Sequence, residues 1–178
     1  MKKILLAFMI ILFTGCTELS NTPTKRVEEF LKDYQTLDNK VVMNLDDVVN
    51  QDITLTEEQK DKYRDVLKKH YQNLTYEVKD ETIDGNNATV TVELTVTDFS
   101  KVMKDTESYM NNNIEQFYDE TGNYNMINYN NYRLDEMKKT NEKVKYTVYF
   151  SLTKQNDEWK MNQLDKVTYD KINGIYNY

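Results

Sequence analysis

The sequence predicts an α+β domain, with N-terminal helices packed on a curved, cone-like antiparallel sheet and a helical insertion between two hairpins. Three observations predict it. Apolar residues recur every three to four positions between residues 27 and 74, they alternate with polar residues from 74 to 97, and a helical pattern over 100–142 separates that hairpin from a second one. The chain has 178 residues, 39% hydrophobic and 30% charged, which is enough apolar material for one core and one domain.

The first helix is expected after Thr24 as cap, with Val27, Phe30, Leu31, Tyr34 and Leu37 on one face and Glu28 and Glu29 in the first turn. A shorter helix follows over Val41 to Val49. Thr56 and Gln59 stand at capping-box spacing before a third helix, whose stripe is Tyr63, Val66, Leu67, His70, Tyr71 and Leu74. The period then falls to two. Leu74, Tyr76 and Val78 lead to an Asp84-Gly85-Asn86-Asn87 turn, and Ala88, Val90, Val92, Leu94 and Val96 return. In the second hairpin Val144, Tyr146, Val148, Phe150 and Leu152 point one way, Gln155-Asn156-Asp157 turns, and Trp159 and Met161 continue. Within 100–142, Met103, Thr106, Met110, Ile114 and Phe117 mark one helix and Leu134 and Met137 another. The Asn- and Tyr-rich piece Tyr118 to Arg133 reads as a mobile loop, and Tyr169 to Tyr178 as a short closing helix.

Ahead of the domain, Lys2 and Lys3 precede ten apolar residues, Ile4 to Phe13, too few to span a bilayer and suited to a signal-peptide core. The chain's one cysteine, Cys16, ends that core. The run Leu12-Phe13-Thr14-Gly15-Cys16 resembles a bacterial lipobox, the cleavage motif of lipoprotein signal peptides. The resemblance implies that Cys16 receives a diacylglyceryl group and becomes the first mature residue, held at the outer face of a Gram-positive cell membrane by its acyl chains. Two such chains suffice for stable anchoring. The division expected is 1–15 signal peptide, 16–23 lipidated tether, carrying the chain's one proline at Pro23, and 24–178 domain.

The order of elements over residues 24–168 resembles the nuclear transport factor 2-like, or cystatin-like, cone of many small Gram-positive lipoproteins. Val27-Glu28-Glu29-Phe30-Leu31 opens the domain and Leu55-Thr56-Glu57-Glu58-Gln59-Lys60 a later helix, as in uncharacterised lipoproteins of that group. Enzymes of this fold place Asp, Tyr or His inside the cone, which makes His70 and Tyr71 the candidate pocket residues here.

Several function classes are excluded on composition. A formal charge of −7, with no basic block beyond the dipeptides Lys68-Lys69 and Lys138-Lys139, is a poor footprint for nucleic acid; both dipeptides read as solvated helix faces. One histidine and one cysteine cannot make a structural zinc site, and frames starting at Asp80 or Asp119 lack the residues of a calcium loop. The four glycines are isolated, so no phosphate loop is expected. No catalytic residue, cofactor or metal is expected.

Fourteen tyrosines offer flat faces with polar edges, and Tyr118, Tyr124, Tyr129 and Tyr132 are the candidate partner or ligand surface. The function expected is a non-catalytic, membrane-anchored interaction or ligand-binding module, for an envelope protein or a small ligand. The alternatives are a small-ligand enzyme using the cone pocket through His70 or a nearby tyrosine, and an envelope chaperone or assembly factor.

Overall fold

A computed structural model describes residues 21–177 as an α+β domain. The segment expected to be a signal peptide, the lipobox-like run and Cys16 lie outside the described residues.

Helix α1 (Pro23–Thr36) begins before the expected Thr24 cap. Thr22 is the cap, its hydroxyl accepting from the Lys25 amide at 3.1 Å, and Pro23 occupies the first turn, where its missing N–H costs nothing. Thr24 instead donates its amide to Glu81 at 2.8 Å. Asn21, Thr22 and Pro23, expected in the tether, therefore belong to the folded body. Helix α2 (Asn39–Gln51) turns Val41, Leu45 and Val49 inward. Helix α3 (Glu57–Gln72) opens on the predicted capping box, with Gln59 N to Thr56 Oγ1 at 3.3 Å and Thr56 N to Gln59 Oε1 at 3.1 Å.

Strands β1 (Thr75–Asp84), β2 (Asn87–Thr97), β3 (Lys143–Gln155) and β4 (Glu158–Met161) form one antiparallel sheet in the order β1-β2-β3-β4. Both hairpins close in two residues: Gly85-Asn86, with Gly85 at φ 56°, and Asn156-Asp157, at φ 50° and 63°. Left-handed residues at these places match the twist of the flanking strands. Val90 faces Phe150, Val92 faces Val148 and Leu94 faces Tyr146, and all six are buried. Helix α1, helix α3 and the short α6 (Lys166–Ile172) contact the sheet and bury that face, while Tyr149 on the other face is 63% exposed. Each aliphatic side chain so buried contributes about 1.5–3 kcal/mol, so this layer dominates stability. The closing helix starts earlier than expected because Asp165 caps it, accepting from the Thr168 amide at 2.7 Å.

Between β2 and β3 the chain leaves and rejoins the sheet at the same end, where Thr97 pairs with Lys143. It forms α4 (Phe99–Asn112), a 3₁₀ turn at Ile114–Phe117 and α5 (Met126–Lys139). The segment expected as a mobile loop, Tyr118 to Arg133, is thus helix over its second half, from Met126. Asp119 organises its one turn, accepting from the Thr121 and Asn123 amides at 2.9 and 3.0 Å, and the Asn125 side chain caps α5 by accepting from Ile127 N. Inside α5, Asn130 Nδ2 donates to Thr54 O at 3.1 Å, and Gln59 Nε2 donates to Ile127 O at 2.8 Å and Asn131 Oδ1 at 3.0 Å. Asparagines that favour loops locally are here fixed by partners on α3 and the segment before it.

Candidate functional site

The sheet has two different ends. At the hairpin end Asn86 O accepts from the Lys154 amide at 2.7 Å, and Asn21 bonds Asp157 and Trp159, so the chain enters the domain there. Strand β2 carries eleven residues from that end to the other, roughly 33 Å at about 3.3 Å per residue. At the far end, where α5 returns beside α3, a pocket of about 410 Å³ opens between the two helices and the β2–α4 junction. This volume suits a small organic ligand.

Val66, Phe99, Leu134 and Met137 form its apolar wall. His70 lines it as well, and is 2% exposed. The α3 stripe turns this side chain inward, and its ring stacks on Phe99 with centroids 4.9 Å apart. Its Nε2 lies 2.8 Å from Ile172 O, an oxygen that only accepts, so Nε2 carries the proton. Nδ1 is then an acceptor, and it is buried with no hydrogen-bond partner. Burial pushes the imidazole pKa down to about 4, opposed by the Ile172 bond and helped by the nearby Lys143 cation, so the ring is neutral at neutral pH. Gly174 closes the chain behind the ring. It sits at φ 68°, and a Cβ there would lie 2.1 Å from Thr97 O and 3.0 Å from His70 Cε1, so only glycine fits.

Lysines 62, 69, 138 and 143 surround the apolar wall, with Asp65 and Asp135 among them. Lys143 donates to Thr97 Oγ1 at 3.2 Å, and its pKa is lowered first by burial and then by Lys69. Among the described residues, Lys69, Lys138 and Lys143 form no ion pair. A second hollow of about 310 Å³ between α4 and α5 contrasts with this, because its cations are already answered: Lys101 reaches Asp105 at 2.8 Å and Glu142 at 3.3 Å, and Lys139 reaches Glu136 at 2.7 Å.

Of the two pocket residues expected from sequence, His70 lines the cavity and Tyr71 does not. Tyr71 packs edge-on to Tyr34 at 4.9 Å in the core and donates its hydroxyl to Asn173 at 2.7 Å; burial raises its pKa. The four tyrosines of the insertion differ in exposure. Tyr129 and Tyr132 are half-buried around Phe117, at 5.7 and 5.6 Å, and join the 3₁₀ turn to α5. Tyr118 and Tyr124 bridge each other across the Asp119 turn and are 37% and 40% exposed. The lysine dipeptides, expected as solvated faces, each send one member to the pocket, Lys69 and Lys138. Their sequence signal is weak, because the lysines meet only when α5 folds back on α3.

Among the described residues no group of three His, Cys, Asp or Glu side chains is placed to hold a metal ion, and no helix is long and apolar enough to cross a membrane. No protein family matches the sequence, and neither a curated protein nor a solved structure matches it. The chemistry of the pocket itself carries the functional reading.

Proposed function

We propose that this protein is an extracytoplasmic lipoprotein, anchored through Cys16, whose domain binds a small ligand in the pocket between α3 and α5. The observation that carries the binding reading is the pocket itself, about 410 Å³ with an apolar wall of Val66, Phe99, Leu134 and Met137 and a rim on which Lys69, Lys138 and Lys143 form no ion pair among the described residues. The lipobox-like Leu12-Phe13-Thr14-Gly15-Cys16 run supports the anchor. Since the chain enters the domain at the hairpin end, an anchored protein presents the pocket on the side away from the lipid surface.

Two measurements test this. Radiolabelled palmitate fed to a Gram-positive expression host labels the wild type and leaves Cys16→Ala unlabelled; an unlabelled wild type overturns the anchor. In the full chain carrying ¹³C-methyl methionine, 2-naphthalenemethanol shifts the Met137 methyl resonance saturably, and Leu134→Trp, which fills the pocket, abolishes the shift. A Met137 resonance that stays in place overturns the pocket.

A further inference from the structure

We propose that the ligand is a small amphiphilic monoanion, an apolar body bearing one carboxylate, whose body lies against Phe99, Leu134 and Met137 and whose head group sits between Lys69 and Lys143. The inference rests on the pocket being a binding site and adds the class of ligand. Its basis is a charge arrangement that is unfavourable without a guest. Lys69 and Lys143 both line the pocket, the charge of Lys69 disfavours that of Lys143, and among the described residues neither is in an ion pair. A protein of formal charge −7 has ample carboxylates, yet none pairs with these two cations. The second hollow, a helix away, shows the usual alternative, with Lys101 held by two acids. An anion between Lys69 and Lys143 removes their repulsion and gains two charge-assisted hydrogen bonds.

The rim also sets the size of the charge. Asp65 and Asp135 offset two of the four lysines and Glu58, 3.8 Å from Lys62, offsets a third, leaving a surplus of one positive charge that suits a single negative charge better than a dianion such as a phosphate monoester. His70 is neutral at neutral pH, so it adds apolar surface but no charge. The wall contains Met137, whose unbranched side chain adapts to a guest's shape.

The test compares matched probes in the full chain, reading the Met137 methyl resonance. 2-Naphthoate and 2-naphthalenemethanol share one aromatic body and differ in charge. The wild type is expected to bind the carboxylate at least tenfold more tightly, and 2-naphthyl phosphate more weakly than the carboxylate. In Lys69→Gln/Lys143→Gln the preference falls to within about threefold while the alcohol binds as before, which shows that the pocket is intact. Lys69→Arg/Lys143→Arg retains the preference. Equal binding of the two naphthalenes by the wild type, or a preference surviving in the Gln pair, overturns the ligand class and leaves the pocket standing. If neither probe moves the resonance, the pocket reading falls as well.

Discussion

The two ends of the sheet follow different rules. At the hairpin end the chain reverses in two residues on both β1–β2 and β3–β4, and the space under the turns is filled by the start of α1 and by Trp159. At the other end the chain departs at Phe99 and returns at Lys143, and the insertion meets α3 without filling the gap. Tight turns fix strand register and leave little freedom in what packs beneath them. A long excursion brings together side chains with no local reason to meet, and there an apolar hollow with unanswered cations is left.

Leucine truncation on each side of this divide gives the largest expected effect. Leu94, fully buried on β2, and Leu134, 2% exposed on the pocket wall, are chemically identical and differ in surroundings. Leu94→Ala should cost about 4–5 kcal/mol, because a rigid sheet face cannot collapse into the void. Leu134→Ala should cost about 2–3 kcal/mol, since its side chain already borders open space and has fewer contacts to lose. Denaturant unfolding reads both values, and equal costs would mean that the pocket wall is packed as tightly as the core.

Next in size is the acid response of His70. Its pKa is about 4 in the folded protein against 6.5 for an ordinary histidine, so between those values the unfolded chain binds the proton that the folded one refuses. Stability therefore rises with pH across that window, and it is lost as pH falls from 6.5 through 4. The full difference is about 3 kcal/mol, at about 1.4 kcal/mol per pKa unit. Asp119 and Asp165, whose pKa values lie below the usual carboxylate range, act at lower pH. Melting temperature against pH in wild type and His70→Gln isolates the effect: the curves should converge towards pH 4, and parallel curves would show that the ring is not desolvated.

The same divide separates what the sequence discloses from what it hides. The α3 stripe, its Thr56/Gln59 cap and the alternation from Ala88 to Val96 are legible because each depends on neighbours a few residues away. Legibility fails wherever a distant partner decides. Thr24 looks like the better cap for α1 until Glu81, brought near by β1, takes its amide, and Thr22 caps instead. Asn130 and Asn131 read as loop residues until Thr54 and Gln59 engage them. For the candidate site, one residue of the third helix stripe, His70, is legible. Its Phe99 stacking partner and the lysines of α5 and β3 arrive through the insertion, and nothing local distinguishes Lys69 from any solvated helix lysine.

The smallest expected effect compares two lysines of one strand. Lys145 pairs with Glu93 at 2.7 Å; Lys143 lines the pocket with Lys69, whose charge disfavours its own. Neutralising each should therefore move stability in opposite directions. Lys145→Gln removes an attraction and lowers the unfolding midpoint slightly. Lys143→Gln removes a repulsion and keeps a group able to bond Thr97 Oγ1, so it should raise stability, by at most about 0.5 kcal/mol once solvent screening is allowed for. Added salt should shrink both effects, since both are Coulombic and largely exposed. A substitution that stabilises the unliganded protein while weakening its hold on an anion is what a site kept at the expense of stability predicts. If Lys143→Gln instead destabilises as Lys145→Gln does, Lys143 is held by its surroundings rather than strained by them, and the unanswered charge at the pocket is no longer a reason to expect an anionic guest.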